Sequence, residues 1–213
     1  FFEPFNIPSG SMKPTLLVGD YLFTAKYAYG YSRHSLPFSL PLIPGRIFAS
    51  LPERGDVAVF KLPADGRTDY IKRIIGLPGD RIQMRDGVLH INGEAVDKER
   101  IAPFIEAGVG REIARFVETL PNGRSYEVLD MVTGGPHDTT RVFEVPEGHL
   151  FAMGDNRDNS MDSRTGFVGF VPIENLVGRA EIIFFSTDGS AALWEPWKWP
   201  FAIRYGRLFD GIE

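Results

Sequence analysis

Glycine and proline interrupt this chain so often that little room is left for a long helix. Twenty-three Gly and sixteen Pro are spread over 213 residues, and both disfavour a helix interior, one through backbone entropy and the other through its missing N–H. Between them lie apolar runs of strand length: Val57-Ala58-Val59-Phe60, Val88-Leu89-His90-Ile91 and Ala180-Glu181-Ile182-Ile183-Phe184-Phe185. Turn signals separate such runs, among them Pro78-Gly79-Asp80, Pro121-Asn122-Gly123, Gly134-Gly135-Pro136 and Pro146-Glu147-Gly148. Asp86-Gly87 and Asn92-Gly93 bracket a four-residue strand, the spacing of a compact meander. Only Pro103 to Phe116 has a pattern that predicts one short helix. The expected fold is mainly β.

Three zones follow from the density of unusual sequence. Residues 1–80 and 143–190 are expected to form a discontinuous core, and the polar, turn-rich residues 81–142 an inserted, smaller β subdomain. Residues 191–213 form a tail, expected to pack on the core, with Trp194, Trp197 and Trp199 beside Lys198 and Pro200. Residues 34–50 make an apolar loop long enough to suggest a function.

Composition removes several kinds of chemistry. A net charge of −5 argues against a nucleic-acid partner. The absence of cysteine excludes disulfides, thiolate zinc sites and a cysteine nucleophile. No run of eighteen apolar residues is present, so these residues hold no membrane-spanning helix. The chain opens abruptly on Phe1-Phe2-Glu3-Pro4-Phe5, without Met or a basic leader, which reads as a mature or trimmed chain. Neither a cofactor nor a metal is expected.

Two segments carry the candidate chemistry. In Pro8-Ser9-Gly10-Ser11-Met12, prolines at 8 and 14 stiffen both sides of Ser11, and Gly10 allows close backbone approach at a reacting centre. Ser9 places a second hydroxyl two residues away, a candidate donor to an oxyanion. Ser-Gly-Ser is also common in ordinary loops, so this serine alone does not decide. In Tyr70-Ile71-Lys72-Arg73, strand alternation puts Lys72 on the face of Tyr70 and Ile74, with Arg73 on the other. A lysine at a sheet edge can snorkel to water. One buried on an apolar face loses its proton far more easily and can act as a base near neutral pH. Lys13 is nearer to Ser11 in sequence, but a turn between Met12 and Pro14 offers nothing to depress its pKa.

The third segment runs from Gly154 to Arg164. Its Asp and Asn content suggests a calcium loop, yet the ligand spacing and the glutamate at the twelfth position are missing. It reads either as a solvated loop with Asx turns or as a polar network around a base, with Ser160 bonding the lysine amine and Asp162 paired to Arg164. None of His34, His90, His137 or His149 lies in these segments, which leaves a serine–histidine mechanism without a candidate.

These segments together resemble bacterial type I signal peptidase. The resemblance rests on Phe5 to Met12 with Pro14-Thr15-Leu16 and Gly19-Asp20; on Arg54-Gly55-Asp56-Val57; and on Asp69 to Arg73 with Gly76 to Asp80. Gly154 to Arg164, Gly166-Phe167 and Val177 to Ala180 complete it. The blocks cover about a third of the chain. They imply the antiparallel-sheet catalytic core of a serine–lysine protease, with Ser11 as nucleophile, Lys72 as general base, Ser160 positioning the amine, and the Ser11 N–H with the Ser9 hydroxyl holding the oxyanion. Asp155, Asp162, Arg164 and Arg73 become supports, Arg73 pairing with Asp155. The pockets that select Ala-x-Ala would be lined by Phe5, Ile7, Met12, Leu16, Leu22, Val59, Tyr70 and Ile71.

The resemblance further implies preprotein signal peptides as substrates and a catalytic region on the periplasmic, extracytoplasmic side of the bacterial inner membrane. The family is normally anchored by N-terminal transmembrane helices that end just before the serine block. Residues 1–7, the 34–50 loop and the three tryptophans are expected to rest on the lipid surface. Two other readings compete. A self-cleaving repressor-type serine–lysine protease would need a DNA-binding domain before Ser11 and an Ala-Gly cut site, for which only Ala107-Gly108 is placed. A β-rich membrane-surface or peptide-binding module would treat Ser11 and Lys72 as structural.

Overall fold

The computed structural model describes residues 2–32, 46–47, 50–106, 108–191, 195 and 197–212. His34, most of the apolar 34–50 loop, Ala107 and Trp194 lie outside them.

Strands dominate. β1 (Phe2–Asn6) and β2 (Asp20–Ala25) form a hairpin whose long connection carries Ser11. β3 (Tyr31–Ser32) pairs with β4 (Arg46–Ile47). β5 (Val57–Lys61) pairs with β6 (Asp69–Gly76), setting Ala58 opposite Lys72 and Val57 opposite Arg73. β7 (Arg81–Arg85), β8 (Val88–Ile91) and β9 (Glu94–Ala95) make a meander, and β10 (Asp97–Glu106), β11 (Arg111–Thr119) and β12 (Ser125–Asp130) a three-stranded ribbon. β13 (Phe143–Glu144), β14 (His149–Met153), β15 (Val171–Pro172) and β16 (Leu176–Ser186) follow, then a short α1 (Trp199–Ala202) and β17 (Asp210–Gly211).

The main sheet runs β1-β2-β16-β5-β6-β14-β15, with β17 added on β16. Its strands thus come from both ends of the sequence, while residues 81–130 form the separate meander and ribbon. Phe143 and Glu144, expected in the core, instead pair with Ile82 and Arg81 as the outer strand of the meander. Both turns flanking β8 follow the expectation: φ is positive at Asp86 and Gly87, and at Asn92 and Gly93, as two-residue hairpin loops require.

The helix expected over Pro103–Phe116 is not formed; these residues are the ends of β10 and β11 and the turn between them. Gly108 and Gly110 both take positive φ there, which reverses the chain. Pro103 falls at a register shift between Ile101 and Phe104, where a missing N–H breaks no ladder bond.

Apolar packing ties the parts together. Ile75, Phe151 and Met153 of the main sheet share one buried cluster with Ile82, Leu89, Tyr126 and Val128 of the meander and ribbon. A second cluster of Ile7, Met12, Leu16, Leu22, Val57 and Ile183 lies beneath the connection that carries Ser11. Each fully buried side chain of this size contributes about 1.5–3 kcal/mol. The tail lies against the same region, Arg207 donating to Asp20 Oδ2 (2.6 Å) and to the Thr15 carbonyl (2.8 Å).

Candidate active site

The connection after β1 is held at both ends. Ile7 N–H donates to Asp20 O (2.8 Å) and Leu16 N–H to Met12 O (2.8 Å), while Met12 and Leu16 are wholly buried. Ser11 is thereby fixed between two anchors with its hydroxyl turned to β6. There Lys72 Nζ donates to Ser11 Oγ at 2.8 Å and to the Ile71 carbonyl at 2.9 Å. Lys72 is only 4% exposed. Burial lowers its pKa to about 8, against the opposing pull of Asp162 and Asp155. A large neutral fraction near pH 8 makes this amine able to take a hydroxyl proton.

Ser9 Oγ lies 3.3 Å from Ser11 Oγ. Lys13, by contrast, forms an ion pair with Glu106 at 2.7 Å.

The Gly154–Arg164 segment wraps behind the dyad. Asn156 N–H donates to the Ser11 carbonyl (3.1 Å) and its Nδ2 to the Gly10 carbonyl (3.0 Å). Arg73 donates to both oxygens of Asp155 (2.9 and 2.8 Å), with Thr15 Oγ1 as a further donor at 2.5 Å. Burial works against the Arg73 cation, and Asp155 more than offsets it, raising its pKa. Arg164 donates to both oxygens of Asp162 (2.9 and 2.8 Å), and Asp162 accepts from Gly154 N–H (3.0 Å). Burial opposes the Asp162 charge, yet Arg164 leads the groups that hold its carboxyl below the ordinary range.

The expected bond between Ser160 and Lys72 is not formed. Ser160 Oγ is buried and meets no partner in hydrogen-bond geometry, although it lies near enough to Asp162 to favour the carboxylate. Gly154 is confined by the same atoms: a Cβ there would clash with Ser160 Oγ and stand 2.5 Å from the Ser11 carbonyl.

A cleft of about 560 Å³ opens over Ser11 and Lys72. Of the expected pocket residues, Phe5, Ile7, Val59, Tyr70 and Ile71 line it. Met12, Leu16 and Leu22 do not; they are fully buried beneath the serine turn, since an apolar residue beside a site looks the same in sequence whether it faces substrate or core. Asn159 and Met161 line the cleft and were hidden in sequence by a polar loop. Among the described residues two strand edges that border the cleft are unpaired: β1 pairs with β2 alone, and β6 pairs with β14 from Arg73 onward, leaving Asp69 to Lys72 open on that side. A second cavity of about 470 Å³ shares no residue with this one; its Arg124 and Arg179 are paired with Asp56 and Glu181. Asp130, Asp138 and Asp158 come close together, but their oxygens accept from Lys98 and from backbone N–H groups of 131, 132 and 135.

The family described as signal peptidase, peptidase S26, matches residues 1–185. The chain belongs to this family. It is 48% identical to the signal peptidase I of Rickettsia typhi over 194 residues, 87% of this chain and 72% of that protein. The signal peptidase I proteins of Rickettsia canadensis (48% over 193 residues) and Rickettsia prowazekii (47% over 194 residues) cover the same shares. A solved signal peptidase I from Enterococcus faecalis V583 is 29% identical, covering 61% of this chain and 97% of its own, with a TM-score of 0.36, too low to bear on the fold. As a member of the peptidase S26 family the chain is a serine endopeptidase, and neither a self-cleaving repressor nor a silent binding module finds support in these matches.

Proposed function

We propose that this chain removes N-terminal signal peptides from exported preproteins, with Ser11 as nucleophile and Lys72 as general base. The observation that carries the reading is the 2.8 Å bond from a buried Lys72 amine to the Ser11 hydroxyl. In the reactive form the amine is neutral and accepts the hydroxyl proton as Ser11 Oγ attacks the scissile carbonyl. The Ser11 N–H and the Ser9 hydroxyl receive the oxyanion. The Lys72 ammonium then gives its proton to the departing amine, the new N-terminus, and the signal peptide remains as an ester on Ser11. Water, losing a proton to the same amine, attacks the ester and restores the serine. Arg73, Asp155, Asp162 and Arg164 hold the serine turn and the loop behind it in place, with Ser160 buried beside Asp162.

The open edges of β1 and of β6 at Asp69–Lys72 suit an extended substrate strand laid between them, alternate side chains dropping into the cleft. Phe5, Ile7, Val59, Tyr70 and Ile71 would then bound small pockets that accept Ala-x-Ala and reject larger side chains. Met12, Leu16 and Leu22 support these walls from beneath. Residues 81–142 act as the inserted subdomain and residues 191–213 as a tail on the core.

We place the enzyme at the extracytoplasmic face of the bacterial inner membrane. No helix among the described residues is long and apolar enough to cross a membrane. A lipid-contacting surface is supported by exposed Phe2 and Tyr27 beside β1, and by Trp197, Trp199 and Phe201 in the tail, the last 86% exposed. The test of the reading is cleavage of a synthetic signal-like peptide ending in Ala-x-Ala, with product masses locating the cut. A cut directly after the second alanine, lost when Phe replaces it, is expected; cleavage indifferent to that replacement would contradict the pocket assignment.

A further inference from the structure

Three buried arginines lie behind Lys72, and the core segments supply carboxylates for only two of them. Arg73 is paired with Asp155 and Arg164 with Asp162. Arg157, 3% exposed, is paired with Glu118 of the inserted ribbon, through bonds of 2.6 and 2.5 Å from its two terminal nitrogens. Glu118 is itself fully buried in β11 and also accepts from Tyr126 Oη of β12 at 2.8 Å. The Tyr126 ring lies against the Arg73 guanidinium, 4.1 Å from its centroid.

Arg157 is at the same time part of the loop that shapes the site. Its Nε donates to the Gly154 carbonyl (3.2 Å), and its own carbonyl accepts from Arg164 Nη2 (2.6 Å). That loop grips the serine turn through Asn156. We infer that Glu118 is a positioning residue of the reaction: the inserted ribbon supplies the counter-charge without which the Gly154–Arg164 loop cannot hold Ser11 and Lys72 in register. An uncompensated guanidinium in the interior is expensive and seeks another anion. The same loop carries Asp155 and Asp162, so Arg157 would compete with Arg73 and Arg164 for them and pull the loop out of place.

The proposal rests on the serine–lysine reading, and its test separates the two. Cleavage of the Ala-x-Ala peptide is measured against pH for the wild type, Ser11→Ala, Glu118→Gln and the paired Glu118→Gln/Arg157→Gln variant. Around Lys72 the charged groups are Asp155 and Asp162, with Arg73, Arg157 and Arg164 paired behind them, and the Tyr70 ring on its own strand. In Glu118→Gln, kcat is expected to fall about tenfold or more with KM nearly unchanged. The acidic limb of its profile should move to lower pH, because a freed positive charge near Lys72 favours the neutral amine.

The paired variant removes both charges and leaves neither buried alone, so it should fold and return the limb toward its wild-type position, even if Glu118→Gln alone does not fold. A lowered melting temperature with kcat and limb unchanged, or a paired variant no better than the single one, would overturn the inference. Full activity in Ser11→Ala would instead overturn the mechanism on which it rests.

Discussion

The Lys72 amine and the Ser11 hydroxyl, sixty-one residues apart in sequence, meet at 2.8 Å in the interior of the protein. Two features make this possible. Lys72 sits on a strand whose neighbours exclude water, and Ser11 sits on a turn pinned by Met12 and Leu16 below and Asn156 behind.

Because the folded pKa of Lys72 is about 8 and the unperturbed value 10.5, activity should rise through an acidic limb centred near pH 8. Between these two values the unfolded chain binds the proton and the folded protein does not, so stability rises with pH across that window. Below pH 8 the full cost of burying the ammonium is present. Lys72→Met should therefore be more stable than the wild type at pH 7, by roughly 1–3 kcal/mol in denaturant unfolding. Equal or lower stability would show that the amine is not paying this cost.

Asp155→Asn leaves the Arg73 guanidinium buried without its counter-charge. A loss of roughly 3–5 kcal/mol is expected. For a chain of this length that lowers the melting temperature by roughly 10 °C. A shift within about 2 °C in thermal unfolding would mean that the pair contributes little.

Gly154→Ala introduces a methyl group against Ser160 Oγ and the Ser11 carbonyl, both close to the dyad. A displacement of even an ångström there should cost about a hundredfold in kcat while unfolding remains cooperative. Cleavage within about twofold of wild type would contradict the tight packing of this glycine.

Vesicle co-sedimentation tests the lipid surface. Trp197→Ala/Trp199→Ala/Phe201→Ala should weaken binding to vesicles of phosphatidylethanolamine and phosphatidylglycerol by about tenfold or more, since each side chain is exposed and interfacial tryptophan is favoured. Unchanged binding would remove the tail from that surface.

Much of the fold was legible because its signals are local. Asp86-Gly87 and Asn92-Gly93 specify their turns, and the β5, β8 and β16 runs alternate or bury as strands do. Pro103–Phe116 misled because two glycines and a bulge override a weak helical pattern. In the site, Ser11 and Lys72 stood out by residue type and alternation, whereas the Arg73–Asp155 pairing was implied only by the family resemblance. Met12, Leu16 and Leu22 were not separable from true pocket walls, because burial under a site and exposure to it leave the same apolar letter. Glu118 gave no signal at all: one acid in a strand of mixed charges looks solvated until Arg157, thirty-nine residues on, is seen beside it.

The central claim is tested most directly by the rate at which Ser11→Ala and Lys72→Met cleave the Ala-x-Ala peptide, measured beside the wild type at pH 8 to 9 with folding checked by circular dichroism. Both folded variants are predicted to lose at least about a thousandfold in kcat/KM. Either variant cleaving within about tenfold of the wild type would contradict the assignment of these two residues as nucleophile and base.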